Sequence, residues 1–439
     1  MHPKTHISPP TDTVAAPSTF RGWGVRHNVL ALTVLAYMVT YMDRVVISSA
    51  VPNIREELGL SMVTMGWILA AFRWGYSLFQ LPGGWLGDRV GPRRALALIV
   101  TWWSLFTSAT ALAWNATSML VFRFLFGAGE AGAFPIATRS LSRWMLPSER
   151  GIAQGVTHAG SRLGAAMTPP IVVALIAAYG WRATFVIFGV IGMLWAALWY
   201  WYYRDTPEQH SRVSNAEADL IHTSLGGKRT ATSKHVDWGR ILRSRALWFT
   251  CAMYACYGYC IAVYLDWFPT YLTSHRGYSL KAMGFYASLP LLAGVFGDLL
   301  GGWASDWWLH RTGDIRAARR WVGCAGFLLA ATGMISATVT SDPFTSVLCS
   351  CIAMFGLEVT VGVSWAIPLD IGGDYAGSAS AVMNTCGNIG GAISPTVLAY
   401  IVRDYGWDVP FFVTTALCLV AAVLYIKIDA TQRIFAEAQ

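Results

Sequence analysis

Runs of mostly apolar residues, each about 20 long, alternate along the chain with short loops of charged residues, proline and glycine, and about 20 such residues is what a helix needs to cross a bilayer. The runs fall at 28–50, 62–82, 95–114, 117–137, 152–178, 181–203, 247–272, 282–303, 321–340, 344–367, 376–402 and 408–428. This predicts an all-α membrane protein of twelve transmembrane helices. The longest polar segment, 204–246, divides them into a six-helix bundle over 28–203 and a second over 247–428, with tails at 1–27 and 429–439. Within that linker, Ser214-Asn215-Ala216-Glu217 reads as a capping box opening a short helix.

The two halves share a phrase. Gly83-Gly84-Trp85-Leu86-Gly87-Asp88-Arg89 closes the second run and Gly301-Gly302-Trp303-Ala304-Ser305-Asp306-Trp307 closes the eighth, so the bundles read as a pseudo-symmetric duplication. A second echo pairs Gly155, Gly160, Gly164 and Pro169 of the fifth run with Gly377, Gly387, Gly390, Gly391 and Pro395 of the eleventh. Small residues allow close helix packing and proline bends a helix, so these positions predict tight packing or a hinge between the halves.

Composition agrees with a lipid environment: 55% of residues are hydrophobic and only 13% charged. The net charge of +8 raises nucleic acid as a partner, but the placement of the basic residues argues for topology instead. Twenty-three of the 32 lysines and arginines lie in the tails and the loops after even-numbered runs, against five in the odd-numbered loops. The positive-inside rule then predicts a multi-pass protein of the cell membrane, the inner membrane if bacterial, with both termini cytoplasmic. Residues 1–27 lack an apolar core ending in a cleavage site, so no cleaved signal is expected. The eight cysteines all lie in the second half, at spacings that match neither a disulfide framework nor a zinc site, and read as packing residues. No metal or cofactor is expected, the proton gradient serving as energy source. No catalytic motif stands out, so an enzyme is not expected.

Charges inside apolar runs are costly and therefore informative. Arg44, Arg73, Arg123 and Arg162 lie in the first half with Asp43 and Glu130; Asp266, Asp298 and Glu358 lie in the second, so the halves differ in sign. Asp43 and Arg44 are adjacent and point about 100° apart on a helix, so each needs a partner from elsewhere. Arg123 and Glu130 are seven apart, on one face and about 10 Å apart along the axis. A guanidinium is permanently charged and fits a carboxylate, which makes Arg44 and Arg123 candidates for holding an anion. A carboxylate's proton affinity depends on its burial and neighbours, which makes Asp43 and Glu130 candidate proton carriers. Permanent ion pairs that merely hold helices together are the alternative. Tyr76, on one face with Gln80, is a candidate for bonding substrate hydroxyls. His158, one turn before Arg162, reads either as a proton-transfer aid or as a structural histidine. Asp88 and Arg89, at a helix edge, suit a gate whose ion pairs form in one conformation only, with Asp306 as the counterpart in the other half.

GWLGDRVGPRR at 84–94 resembles the signature loop of the major facilitator superfamily. GAGEAGAFPIATRSLSRWMLPSERGIAQG at 127–155 resembles the fourth and fifth helices of its anion:cation symporter family, and YMDR at 41–44, FRWGYSLFQLPGGW at 72–85 and WFPTYL at 267–272 agree. The resemblance implies the major facilitator fold and uptake of organic anions, commonly sugar acids, with protons or another cation. It supports transport roles for Asp43, Arg44, Arg123 and Glu130, and a substrate contact for Tyr76. Asn384, in SAVMNTCGN, aligns with a family asparagine that contacts substrate, and Trp365 either stacks against an apolar face or serves ordinary helix packing. Sugar-acid relatives often carry a polar residue where Gly362 stands and a glutamine where Ser161 stands, and Arg73 and Arg162 replace usually uncharged positions. If those two arginines face the cavity, a dicarboxylate or aromatic carboxylate suits it better than a sugar acid. The expected function is secondary active transport, a proton-coupled symport of a small organic anion by alternating access, by a monomer. The rivals are an anion exchanger without proton coupling and a membrane sensor or scaffold that does not transport.

Overall fold

The computed structural model describes residues 22–146, 149–224, 238–372, 376–432 and 434, and within them the chain is helical, without strands. Twelve spanning helices are labelled here in chain order. In the first half α1 is Val25–Leu58, α2 Met62–Val90, α3 Pro92–Thr110 and α4 Ala116–Trp144, with a break at 131–132. Helix α5 occupies 150–179 and α6 181–202, and the helix is continuous between them except at Gly180, whose φ of 79° turns the chain. In the second half α7 is Arg245–Ser274, α8 Leu280–Thr312, α9 Ile315–Val339, α10 Pro343–Gly372, α11 Ala376–Tyr405 and α12 Asp408–Lys427. Nine helical stretches among the described residues are long and apolar enough to cross a membrane. One of them, Ile152–Tyr202, holds two passes; α2 and α3 complete the twelve.

Local chemistry explains several of these ends. Ser61 accepts a hydrogen bond from the Thr64 amide at 3.0 Å and starts α2, Ser279 does the same for α8 at 3.3 Å, and Gly59 closes α1 in the left-handed region at φ 63°. Helix α7 widens to a π turn over Val263–Trp267. Pro269 follows directly; having no N–H and a ring that pushes away the carbonyl four residues earlier, Leu265, it disfavours a regular turn there.

The linker helix Asn215–Ser224 is present, and Ser214 Oγ accepts from the Glu217 amide at 3.2 Å. The predicted capping box is only half made. The Glu217 carboxylate reaches away to the start of α1, accepting from the amides of Val25 and Arg26 at 3.1 and 3.0 Å. Those amides have no partner inside their own helix, which makes them the better donors for a buried carboxylate. Residues 225–237 of the linker lie outside the described residues, as do most of both tails.

Two faces can be distinguished: one carries the linker, the other the loop at Gly180. The halves meet through α2 with α11 and α5 with α8. On α5, Gly155, Arg162 and Pro169 recur every seven residues along the side turned to this seam. The Pro169 carbonyl packs against Gly284 of α8, Arg162 pairs across the seam, and a Cβ on Gly155 would meet nothing within 4 Å. On α11, Gly377, Asn384 and Gly391 repeat the pattern: Gly391 faces Arg73 of α2, whereas Gly377 opens on space. The halves are therefore in contact toward the Gly180 face, whereas toward the linker face no described residue packs on Gly155 or Gly377. Part of the small-residue echo is tight packing, since Gly160 and Gly164 pack on α1, and Gly387 and Gly390 on α7, within their own halves.

Candidate functional site

The charged residues of the spans gather where the halves meet. Asp43 is fully buried and turned toward α3, where one carboxylate oxygen accepts from the indole N–H of Trp103 at 3.1 Å and the other has no partner among the described residues. Arg44, one residue on, turns instead to α4 and pairs through Nε with Glu130. The divergence expected of adjacent helical positions is thus realised, with Trp103 and Glu130 as the outside partners.

Aromatic rings surround Arg44. Tyr41, Phe72, Tyr76 and Phe134 place their centroids 5.0, 5.3, 4.8 and 5.5 Å from its guanidinium carbon. Two of these rings are shared: Phe72 lies 5.3 Å from the Arg123 guanidinium and Tyr41 lies 5.6 Å from that of Arg162. Arg162, Tyr41, Arg44, Phe72 and Arg123 form a chain of alternating cations and π faces, each contact worth about 0.5–2 kcal/mol depending on desolvation. Tyr76 contributes its ring to this cage.

Arg123 is 1% exposed, packs over Phe126 at 4.5 Å, and has no carboxylate within ion-pair distance among the described residues. Its Nε and Nη1 are buried without hydrogen-bond partners. Glu130, two turns along the same helix, is engaged by Arg44 rather than by Arg123. The other two arginines cross the seam. Arg73 of α2 binds Asp266 in the π turn of α7 through Nε at 3.1 Å and Nη2 at 2.9 Å. Arg162 of α5 lies 2.7 Å from Glu358 of α10, whose other oxygen accepts from the Tyr257 hydroxyl at 3.1 Å. The difference in sign between the halves is therefore a complementarity: basic groups of the first meet acidic groups of the second.

The second half lines the site with aromatic residues. Tyr254 stacks on Tyr257 with centroids 5.2 Å apart and accepts from the Trp365 indole at 2.9 Å, which fixes Trp365 toward the linker-face side. Asn384 is half-buried on the seam side of α11. His158 packs edge-on against Tyr37 at 5.9 Å. Of the expected gate residues, the Asp88 side chain lies outside the described residues, and the Arg89 guanidinium covers the Trp85 ring at 4.9 Å. Asp306 pairs with Arg319 at 3.2 Å, and Arg319 also binds Ser305 at 2.7 Å and Asp370 at 2.9 Å, tying α8, α9 and α10 within the second half. All eight cysteines are free; Cys260 and Cys418 approach to 3.7 Å in the packing between α7 and α12.

The sequence reading named Asp266 and Glu358 but gave them no partner, and it missed Tyr41, Trp103, Tyr254 and Tyr257. Opposite sign in the two halves is the available signal for the first two; for Tyr41 it is the place at the head of the YMDR phrase.

A sequence model of the Major Facilitator Superfamily matches residues 33–395. The chain belongs to that superfamily. It is a transporter, not an enzyme. A probable sulfoacetate transporter of Cupriavidus necator is 40% identical over 408 residues, covering 92% of this chain and 94% of that one. A hexuronate transporter of Bacillus subtilis is 30% identical, with 91% and 93% covered, and a D-galactonate transporter of Escherichia coli is 29% identical, with 91% and 95% covered. Among solved structures, a bacterial homolog of the human lysosomal transporter Spinster superposes with a TM-score of 0.78 at 19% identity, over 94% of this chain and 99% of that one. A D-xylose-proton symporter superposes at 0.75 with 14% identity, over 92% and 98%. At such identities the structural likeness speaks to the fold alone.

Proposed function

We propose that the chain imports a small organic anion together with protons, by alternating access about the seam, with both termini in the cytoplasm. Arg123 and Arg44 hold the anion's carboxylate, and Asp43 and Glu130 carry protons. The observation that carries this reading is Arg123: a permanently charged group, buried with no carboxylate at ion-pair distance among the described residues, costs several kcal/mol unless an anion joins it. Arg44 is shared, because a proton on Glu130 releases it to the substrate. Loading with proton and anion together then sets a carboxylate against both guanidinium groups, and the halves can reorient.

The anion is a short dianion, such as one bearing a carboxylate and a sulfonate. Arg73 and Arg162 favour this as further guanidinium groups beside the site, each held by a carboxylate of the other half that an arriving anionic group can displace, and so does the 40% identity to a probable sulfoacetate transporter. Counterflow with Glu130→Gln tests the proton role: exchange should persist while accumulation is lost, and normal accumulation would remove Glu130 from the mechanism. Anion-driven alkalinisation in proteoliposomes separates symport from exchange.

A further inference from the structure

Arg162 and Glu358 stand apart from the other ion pairs of the seam. Arg162 reaches Glu358 Oε2 through Nη2 alone, at 2.7 Å, while its Nε has no hydrogen-bond partner among the described residues, so the guanidinium fork is only partly used. Glu358 is nevertheless 0% exposed and Arg162 nearly buried. The carboxylate arm lies in a trough on α8, where Cβ atoms added at Gly294 and Gly297 would come within 3.0 and 3.2 Å of its Cγ and Cβ. The facing groups are Arg162 from α5, Tyr257 from α7 and Asp298 from α8, with His158 one turn from Arg162. Tyr257 is the adaptable partner: its hydroxyl can donate to an ionised Glu358 and can equally accept from a protonated one.

We propose that Arg162 and Glu358 form a charge-exchange site for the second acidic group of a dianion, distinct from the carboxylate grip of Arg44 and Arg123. This rests on the reading of the chain as a transporter of a short dianion. Arg44 and Arg162 share the Tyr41 ring, at 5.0 and 5.6 Å from its centroid, and this common neighbour keeps the two guanidinium groups close enough for the acidic groups of one short molecule to approach both. The second anionic group takes the place of Glu358 on Arg162. An ionised carboxylate left in that trough would have no cation, so one proton from the side to which the site is open joins it, and Glu358 stays bonded to Tyr257 as the neutral acid. Charge is conserved: one negative group arrives at Arg162 and one is neutralised at Glu358. Release reverses both steps. A monoanion leaves the pair intact and moves no proton there, so the site both selects dianions and adds a proton to their transport.

The test uses the purified full chain in detergent and two probes of matched shape, the dianion sulfoacetate and the monoanion methylsulfonylacetate. Calorimetry in buffers of different ionisation enthalpy counts protons taken up per anion bound. The wild type should take up about one more proton with sulfoacetate and should prefer it. Glu358→Gln should lose that extra proton and bind sulfoacetate roughly tenfold tighter, because the internal competitor is gone. The Arg162→Gln/Glu358→Gln double variant, neutral on both sides, guards against misfolding and should lose the preference between the probes. Equal weakening of both probes by Glu358→Gln, or an extra proton that survives it, would overturn the exchange site while leaving the dianion reading intact. A wild type that binds neither probe overturns the dianion reading, and this site with it.

Discussion

Arg73 on α2 and Asp266 on α7 join the two halves by a forked contact of 2.9 and 3.1 Å, made from one side by a regular helix and from the other by a π turn. Both side chains are about one-tenth exposed, at 12% and 10%, so neither has water enough to replace its partner. Removing one member of such a buried pair costs about 3–5 kcal/mol, whereas removing both is far milder. Arg73→Gln and Asp266→Asn should each lower stability by about 3 kcal/mol, and the double variant should recover more than half of one single loss. Thermal unfolding of the four proteins measures this cycle, and simply additive losses would mean that the pair contributes no coupling.

The glycines of α5 separate packing from motion. A Cβ on Gly164 would sit 2.6 Å from the Met38 carbonyl oxygen and 2.9 Å from its Cα, and backbone cannot move aside as a side chain can. Gly164→Ala should cost about 1–3 kcal/mol. Gly155→Ala, with no described residue within 4 Å of the added Cβ, should raise stability by up to about 1 kcal/mol through helix propensity. Melting temperatures of the two variants in the same detergent decide the matter, and the opposite ranking would contradict the packing described for α5.

At the start of α10, Asp342 accepts from the Thr345 amide at 2.7 Å and from its hydroxyl at 2.6 Å, and these bonds hold the carboxyl below its ordinary range. The sign follows from linkage: a depressed folded value adds stability above the unfolded value, about 3.9, and the gain fades as pH falls through the folded one. Asp342→Asn should therefore be less stable than the wild type at neutral pH, with the gap closing below about pH 4. Unfolding curves between pH 3 and 7 provide the check; a gap that stays constant would show that the carboxylate's charge plays no part.

Much of this architecture was readable because a bilayer imposes a length on every span. The division at Gly180 and the twelve runs follow from hydropathy alone, within a few residues at most ends; α1, α2 and α8 run on by about two turns beyond the predicted stops because their last turns are amphipathic. Partners were harder. Helix geometry says that Asp43 and Arg44 diverge, but only the orientation of α3 puts the Trp103 indole beside the first. Arg73 and Asp266 lie 193 residues apart, and no spacing rule within one helix reaches that far. Glu217 was assigned to its own helix because the capping motif is local, while the stronger claim on it came from α1, 191 and 192 residues away.

The opposite signs of the halves also bear on biosynthesis. A chain inserted from its N-terminus places Arg73 and Arg162 in the membrane well before Asp266 and Glu358 have been made. Until then the first six helices hold cations without their eventual counter-ions, and the last six, made alone, would hold acids in the same predicament. Neither bundle pairs its own seam charges, so each half awaits the counter-ions that the other supplies.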